Sequence, residues 1–214
     1  MTSSTINGAG LVGSLLSILL KRQGHDVRVF EKRQAFSKIS NSQGRSINLI
    51  ITAKGVKALE MLGLYEEIRP LCVPVFGRMT HDLKGKQVFQ PYGKDKSEYN
   101  LSVSRLELNQ KLLNLAKTEG VEFSFEQELL DVDLNEKTLH FKKAGIQSYD
   151  YLFATDGAGS IIRHKLCQST GGSDETIWLK SSYKELLMPR SSGLDPECLH
   201  LWPRGDQFLM GLPN

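Results

Sequence analysis

The N-terminal part of the chain places apolar and polar positions in the order strand, turn, helix, strand. The run STIN at residues 4–7 predicts a short strand, and residues 11–23 carry an apolar stripe with helical spacing. Residues 26–31 alternate polar and apolar positions, as a strand does. This β-turn-α-β order is typical of parallel sheets in α/β proteins.

The next part of the chain predicts a loop, a helix and a hairpin. Residues 32–45 are polar and rich in turn-forming residues, which indicates a loop. Apolar positions at residues 53–70 predict an amphipathic helix that Pro70 ends. Residues 73–93 read as two strands around a turn at residues 82–85, and we therefore expect an antiparallel hairpin there.

A further helix is predicted at residues 104–120, and both of its ends carry capping signals. Ser104 and Glu107 have the spacing of a capping box, and Gly120 suits the C-terminal end. Short strands are predicted within residues 121–143, and an apolar strand at residues 149–155.

Three more strand-like runs follow, namely TIWLKSSYKELLM, CLHLWPR and QFLMGLP. The whole order predicts an α/β fold, with a Rossmann-like nucleotide-binding layer and an inserted antiparallel β layer. We assign residues 1–72 and 100–170 to the first layer, and residues 73–99 and 171–214 to the second.

The composition excludes several classes of function but does not identify one. The 214 residues are 40% hydrophobic and 24% charged, as in a globular protein with a real core. The net charge of +3 comes without a basic patch, so we expect no nucleic-acid partner. No apolar run reaches the roughly 18 residues that cross a bilayer, and the N-terminus lacks a basic signal-peptide region. The three cysteines are dispersed, and we expect no metal site.

The first candidate site is the glycine fingerprint Gly8-x-Gly10-x-x-Gly13 between the first strand and helix. In dinucleotide-binding folds the first glycine allows a tight turn, the second admits a pyrophosphate, and the third lets helix and strand pack closely. The helix N-terminus then offers N–H groups to the phosphates. The pattern by itself is also compatible with an ordinary glycine-rich turn.

Glu31 ends the second strand. It lies close to the position, roughly 20 residues after the glycines, at which an acid binds a ribose hydroxyl in dinucleotide-binding folds. An acid there disfavours a 2′-phosphate in the same pocket. The alternative is a solvated acid at a strand end.

A second glycine loop, running from Asp156 to Arg163, follows the predicted strand at residues 149–155. Its alternative interpretation is a plain strand–turn–helix junction in which Asp156 caps the helix.

Together the two loops resemble the aromatic-ring hydroxylases, the flavin monooxygenases of the para-hydroxybenzoate hydroxylase type. That family combines GxGxxG and a strand-end acid with a later DGxxSxxR loop, and both occur here in that order. Further stretches resemble the kynurenine hydroxylases of this family. They are Gly44-Arg45-Ser46-Ile47-Asn48-Leu49, Arg78-Met79, Pro91-Tyr92-Gly93, Leu101-Ser102-Val103-Ser104-Arg105 and Leu199-His200-Leu201-Trp202-Pro203-Arg204.

The resemblance implies that the first layer binds FAD and that the inserted layer binds an aromatic substrate. The implied cofactor-binding residues are Gly8, Gly10, Leu11, Val12, Gly13, Glu31, Lys32, Arg33, Ile50, Arg105, Leu129 and Asp156. Among them, Ile50 and Leu129 are expected to contribute through the backbone.

Arg78 and Tyr92 match residues that bind the amino-acid end of kynurenine in this family. A guanidinium binds a carboxylate with two hydrogen bonds, and a phenol adds a hydrogen bond and an aromatic wall. Spacing alone leaves open that Arg78 faces solvent and that Tyr92 is a core aromatic residue of the hairpin.

The implied reaction hydroxylates L-kynurenine to 3-hydroxykynurenine, with FAD as cofactor and NADPH and dioxygen consumed. It requires no catalytic triad, and we expect the five histidines to be structural or surface residues. The alternatives are a truncated, non-catalytic dinucleotide-binding domain, another aromatic-ring flavin hydroxylase, or a different flavin or NAD oxidoreductase.

The family also carries a later Gly-Asp motif, which this sequence lacks, so we expect a C-terminally truncated fragment or a shortened form. The expected location is the cytoplasm if the source is bacterial. It is the cytosolic face of the outer mitochondrial membrane if the source is eukaryotic.

Overall fold

The computed structural model describes residues 2–35 and 48–213. These residues form two compact units, residues 2–35 with 109–183 and residues 48–108 with 184–213. Most of the predicted loop at residues 32–45, and the stretch from Gly44 to Ile47, lie outside the described residues.

The helices and strands follow one another along both units in a mixed order. The α-helices are α1 (Leu11–Arg22), α2 (Ala53–Met61), α3 (Tyr65–Ile68), α4 (Arg105–Thr118) and α5 (Ile161–Thr170). The strands are β1 (Ser3–Asn7), β2 (Asp26–Phe30), β3 (Asn48–Ile51), β4 (Val73–Val75), β5 (Gly77–His81), β6 (Gln87–Pro91), β7 (Asn100–Ser104), β8 (Glu122–Ser124), β9 (Leu129–Asp133), β10 (Thr138–Phe141), β11 (Gly145–Ser148), β12 (Tyr151–Ala154), β13 (Cys198–Arg204) and β14 (Gln207–Gly211). Short 3₁₀ turns occupy Arg69–Leu71 and Arg190–Ser192.

The first unit is built on a parallel sheet with the strand order β12-β1-β2-β8. Its centre is apolar, because Ile6, Val27 and Val29 are almost completely buried. Helix α1 packs against β2 and buries Ile18 and Leu20. The predicted β-turn-α-β unit at the N-terminus is therefore confirmed.

A second, antiparallel sheet in this unit has the order β11-β10-β9. It shares a core with β2 and α5, formed by Phe30, Leu129, Val132, Leu139, Phe141 and Ile162. The rings of Phe30 and Phe141 stack with centroids 4.4 Å apart. The strands predicted within residues 121–143 are confirmed as β8, β9 and β10.

The second unit contains a four-stranded sheet with the order β14-β13-β5-β6. The hairpin β5–β6 is antiparallel, as predicted, and the pair β13–β14 is antiparallel too. Strands β13 and β5 run parallel, so the sheet is mixed and not purely antiparallel. A separate antiparallel sheet has the order β3-β7-β4.

The predicted hairpin at residues 73–93 extended too far at its start. Residues 77–91 form it, whereas β4 pairs with β7 in the other sheet. Strand β7 was missing from the prediction, so β4 had no other partner to which it could be assigned. The start of the hairpin is therefore determined by which distant strands pair, and not by the types of residue in the segment.

The helix predicted at residues 53–70 is broken in two. Helix α2 ends at Met61, and Gly63 adopts the left-handed region with φ +58°. A right-handed helix cannot continue through that conformation, so a new short helix starts at Tyr65. Pro70 lies within the following 3₁₀ turn instead of ending one long helix.

The strand-like run TIWLKSSYKELLM at residues 176–188 forms neither a helix nor a strand. Its large apolar residues are exposed, Trp178 at 85% and Leu187 at 92%. A β-type composition gives a strand only when a neighbouring strand satisfies its backbone, and the described residues supply none here.

Capping at the ends of α4 is as predicted. Ser104 Oγ accepts a hydrogen bond from Glu107 N at 3.4 Å, and Gly120 takes φ +84° beyond the helix C-terminus. None of the helices within residues 2–35 and 48–213 combines the length and apolar character needed to cross a bilayer.

Candidate cofactor-binding site

The glycine loop lies between the C-terminal end of β1 and the start of α1, and two of its glycines are required by packing. Gly8 has φ +107°, and a Cβ there would lie 2.5 Å from Thr155 O. A Cβ at Gly13 would overlap Gly8 O, so α1 packs directly on the loop backbone. Any larger side chain at either position would force the loop apart.

Gly10 differs, because neither its backbone conformation nor any described neighbour requires a glycine there. Its φ of −72° and ψ of −175° are accessible to any residue. A Cβ at this position would meet no atom of residues 2–35 and 48–213 within 4 Å. The open space therefore lies directly beside the backbone, where the fingerprint predicts that a pyrophosphate approaches.

The N-terminus of α1 borders that space, and the first turn of the helix itself carries no acid. The helix starts at Leu11, and Gly10 provides no side-chain cap. The first N–H groups of a helix lack intrahelical partners and carry a partial positive charge. These N–H groups are suited to bind a phosphate.

Glu31 connects the loop to the end of β2. Its Oε2 accepts a hydrogen bond from Ala9 N at 2.8 Å, and its Oε1 accepts one from Arg33 N at 2.9 Å. The side chain is only 11% exposed, so the interpretation as a solvated strand-end acid is wrong. Lys32 and Arg33 follow it and are exposed.

The second glycine loop lies beside the first. Thr155 Oγ1 donates a hydrogen bond to Gly8 O at 2.7 Å, and Asn7 Nδ2 donates one to Asp156 Oδ2 at 3.3 Å. The next helix, α5, is capped by Ser160, whose Oγ accepts a hydrogen bond from Arg163 N. The alternative in which Asp156 caps that helix is therefore wrong.

Asn109, on α4, also contacts the loop, and the sequence analysis missed it. It is buried, and its Nδ2 donates a hydrogen bond to Ala9 O at 3.2 Å. With Glu31 on the amide of Ala9 and Asn109 on its carbonyl, side chains hold both polar backbone groups of that residue. The sequence feature that could have drawn attention to Asn109 is its position, as an amide residue, among the leucines Leu108, Leu112 and Leu113, which the structure buries.

The side chain of Leu129, which the prediction assigns a backbone contact with the cofactor, is buried in the core beside Phe30. The segment that precedes it runs along the end of β2, where Gln127 N donates to Glu31 O at 2.9 Å.

The other four predicted residues lie in the second unit. Ile50 on β3 is paired with Ser102 on β7, and Arg105 starts α4 directly after β7. Arg78 and Tyr92 are brought together, because the Arg78 guanidinium carbon lies 5.5 Å from the centroid of the Tyr92 ring. Arg78 is exposed and Tyr92 is half-buried.

These observations fit the adenosine and pyrophosphate part of FAD. The loop is open at Gly10, the helix N-terminus is free of an acid, and Glu31 stands at the end of β2. Backbone N–H groups beside open space bind phosphates, and a carboxylate at this strand end binds a ribose.

Comparison with known proteins agrees with this site. Residues 1–204 match the FAD binding domain family. The chain is 41% identical over 216 residues to kynurenine 3-monooxygenase of Flavobacterium johnsoniae, covering 97% of this chain and 48% of that protein. It is 39% identical over 220 residues to kynurenine 3-monooxygenase of Myxococcus xanthus, covering 98% and 47%. The chain thus spans about half the length of these curated relatives.

Solved structures show the same fold at lower sequence similarity. A tetrameric form of 2-methyl-3-hydroxypyridine-5-carboxylic acid oxygenase superposes with a TM-score of 0.66 at 22% identity, covering 78% of this chain and 42% of that one. With a family match over residues 1–204 and a glycine loop of the required geometry, the chain belongs to the FAD binding domain family.

Proposed function

We propose that this chain is the FAD-binding part of an NADPH-dependent monooxygenase that converts L-kynurenine to 3-hydroxykynurenine. The relatives at 41% and 39% identity, both kynurenine 3-monooxygenases, support the substrate, and the family match supports FAD. We place such an enzyme in the cytoplasm of a bacterium, or at the cytosolic face of the outer mitochondrial membrane in a eukaryote.

Gly10 is the single observation that carries the proposal. A glycine stands at a position where no described residue crowds a side chain and where φ is negative. Glycine is a moderate N-cap residue, and its lack of a side chain also leaves room for a ligand that approaches the backbone closely. A diphosphate that lies across the start of α1 is such a ligand.

Each predicted cofactor residue in the first unit has a separate task. The N–H groups of Leu11 and Val12 face the pyrophosphate, and Glu31 accepts the ribose hydroxyl while it holds Ala9 N. Asp156, held by Asn7, faces the remainder of the cofactor. Lys32, Arg33 and the backbone of Leu129 border the adenine.

In the second unit, Arg78 and Tyr92 bind the substrate, and Ile50 and Arg105 complete the cofactor contacts. Bound FAD would supply the redox chemistry, in which the reducing equivalents of NADPH allow one oxygen atom of dioxygen to enter the aromatic ring while the other leaves as water. The Arg78 guanidinium holds the carboxylate of kynurenine with two hydrogen bonds, and the Tyr92 ring fixes the guanidinium from one side. We assign the inserted, substrate-binding layer to residues 73–99 and 171–214, and the FAD-binding layer to residues 1–72 and 100–170.

The decisive measurement is an absorbance spectrum of the purified chain with and without added FAD, followed by NADPH oxidation with and without kynurenine. We expect bound flavin to remain with the protein after gel filtration, and kynurenine to accelerate NADPH oxidation in the full-length protein. A chain that stays colourless and retains no FAD at high concentration would contradict the proposal.

A second candidate is a unit that binds the adenosine half of a dinucleotide and catalyses nothing. It is favoured by one observation: the first unit by itself contains the glycine loop, Glu31 and Asp156. This candidate predicts that ADP raises the temperature of unfolding as strongly as FAD does, without NADPH oxidation. An FAD effect well above that of ADP would exclude it.

A further inference from the structure

An arginine in the first turn of α5 holds the second glycine loop by a carbonyl oxygen. Arg163 Nη2 donates a hydrogen bond to Ala158 O at 2.8 Å, and Arg163 Nε donates one to Asp174 Oδ1 at 2.9 Å. The guanidinium therefore links the loop at residues 157–159 to an acid that follows the helix. Neither Arg163 nor Asp174 is among the residues of the proposed site.

The chain turns back towards the start of α5 directly after the helix ends. Gly171 takes φ +70°, and a left-handed glycine is a common way to end a helix. Cys167 Sγ donates a hydrogen bond to Ser173 O at 3.5 Å, so the returning segment lies along the helix. Asp174 is thereby brought to the first turn of α5, where it meets Arg163.

Both carboxylate oxygens of Asp174 accept from side chains of α5. The side chain of Asp174 is 18% exposed, whereas that of Arg163 is 43% exposed. Asp174 Oδ2 lies 3.3 Å from His164 Nδ1, and an ionised carboxylate can only accept, so Nδ1–H of the imidazole donates. Gln168 Nε2 lies 3.0 Å from His164 Nε2 and donates to it, which fits the same neutral form of the imidazole. Arg163 therefore supplies the positive charge beside the acid.

The two hydrogen bonds of Arg163 depend on each other. A guanidinium is planar and rigid, so a contact that fixes its plane also aims its remaining N–H groups. With Nε on Asp174, Nη2 is aimed at Ala158 O. Without the acid, a side chain that is 43% exposed would gain rotamer freedom, and its hold on the loop would weaken. An ion pair at this exposure contributes little to the stability of the fold, so its effect is mainly one of orientation.

The loop that Arg163 holds has little packing of its own. Residues 157–159 are exposed. A Cβ at Gly157 or at Gly159 would meet no atom of the described residues within 4 Å. With so few packing contacts, the order of this loop depends on hydrogen bonds, and the one on Ala158 O acts at its middle residue.

The sheet order of the first unit places this loop on the side opposite Glu31. Strand β1, which leads into the first glycine loop, lies between β2 and β12 and runs parallel to both. The C-terminal ends of the three strands therefore lie side by side, with Glu31 after β2, Gly10 after β1 and Asp156 after β12. A dinucleotide with its adenosine at Glu31 and its diphosphate at Gly10 extends its other half towards the loop after β12.

We propose that Asp174 is a positioning residue that, through Arg163, fixes the loop at residues 157–159 for the flavin half of the bound cofactor. The identity of the cofactor rests on the proposed function, whereas the hold on the loop does not. In this role Asp174 acts through Arg163 and needs no contact with the cofactor. Loss of Asp174 therefore weakens the binding of FAD and spares that of ADP, which lacks the flavin half.

The hold on the loop is tested first, in the ligand-free chain, by ¹⁵N relaxation of the backbone amides of residues 157–159. We expect order parameters of about 0.85 in the parent and below about 0.6 in Asp174→Ala. Lys165→Met is the matched control, because it removes the ion pair of Lys165 Nζ with Asp131 Oδ1 at 2.8 Å, which joins the same helix to β9. The control should retain the values of the parent. Unchanged order parameters in Asp174→Ala, or an equal loss in the control, would overturn the proposal.

A double-variant cycle tests whether Asp174 acts through Arg163. Arg163→Lys keeps the positive charge but cannot bond the acid and the loop carbonyl from one rigid plane. We expect Arg163→Lys combined with Asp174→Ala to lose no more loop order than either single variant does. Asp174→Asn keeps an acceptor oxygen without the charge, and its loss should be intermediate. Additive losses in the double variant would show that the two residues act separately and would overturn the proposal.

Isothermal titration with FAD and with ADP then tests the consequence for the cofactor. We expect Asp174→Ala to raise the Kd for FAD about three- to tenfold and the Kd for ADP less than about twofold, with neither changed in Lys165→Met. Equal effects on both ligands, or no effect on FAD, would overturn the cofactor part of the proposal. If the parent binds neither ligand while the relaxation results appear as expected, the proposed function is overturned and the hold of Asp174 on the loop is confirmed.

Discussion

Replacing Gly10 with valine places a branched side chain where the protein leaves open space. In the part of the chain that the structure describes, no atom lies within 4 Å of a Cβ there, and the backbone conformation suits an L-residue. The fold should tolerate the change at a cost of about 1 kcal/mol, because valine is a poorer N-cap than glycine. Any larger effect must then come from the ligand.

The loss of FAD affinity can be worked from the hydrogen bonds that the side chain would displace. The N–H groups of Leu11 and Val12 open the first turn of α1, without an acid to occupy them. A hydrogen bond to a charged group contributes about 1.5–3 kcal/mol, so losing two costs about 3–6 kcal/mol. The Kd for FAD should therefore rise by a factor of roughly 10² to 10⁴.

Isothermal titration with FAD, together with urea unfolding of the ligand-free chain, separates the two effects. Gly172→Val is the matched control, because its Cβ meets only ordinary contacts, the nearest being Thr170 Oγ1 at 3.4 Å. Gly13→Ala should instead destabilise the ligand-free chain, since its Cβ overlaps Gly8 O. If Gly10→Val binds FAD within threefold of the parent, the pyrophosphate does not lie at this loop and the reasoning is refuted.

Three further outcomes are expected. Arg78→Ala should weaken kynurenine binding by about 2–5 kcal/mol if the bound pair is desolvated, with Arg78→Lys intermediate and the Kd for FAD unchanged; an unchanged kynurenine affinity would exclude this role. Glu31→Gln leaves one carbonyl oxygen for two backbone donors, so urea unfolding should show a loss of about 1 kcal/mol, and ADP should protect less. Gly63→Ala should lower the free energy of unfolding by about 1–2 kcal/mol because residue 63 has a positive φ, and Gly63→Asn should lower it by less. Equal stability of the parent and both variants would contradict the helix break at this residue.

Local patterns were sufficient wherever one element determines its own structure. The glycine fingerprint, the alternation of β2 and the capping signals of α4 all depend on neighbours within a few residues, and each appears as predicted. The β5–β6 hairpin was also predictable, because its turn residues are specific.

Predictions failed where distant parts of the chain decide the outcome. The pairing of β4 with β7 and the unpaired run at residues 176–188 depend on which strands meet. The contact of Asn109 with Ala9 spans 100 residues of sequence, so no local signal specifies it. The site residues in the second unit came from resemblance, and their roles remain predictions for the variants above.

Thr155 completes the hydrogen bonds that hold the glycine loop in place, and it lies in a segment that is translated late. Its hydroxyl reaches Gly8 O across 147 residues, and its amide donates to Asn7 O at 2.9 Å. Because a chain leaves the ribosome from its N-terminus, β1 and α1 emerge long before β12 exists. The nascent loop lacks the hydrogen bonds from Thr155 throughout that interval. We therefore expect flavin to bind only after β12 has been synthesised.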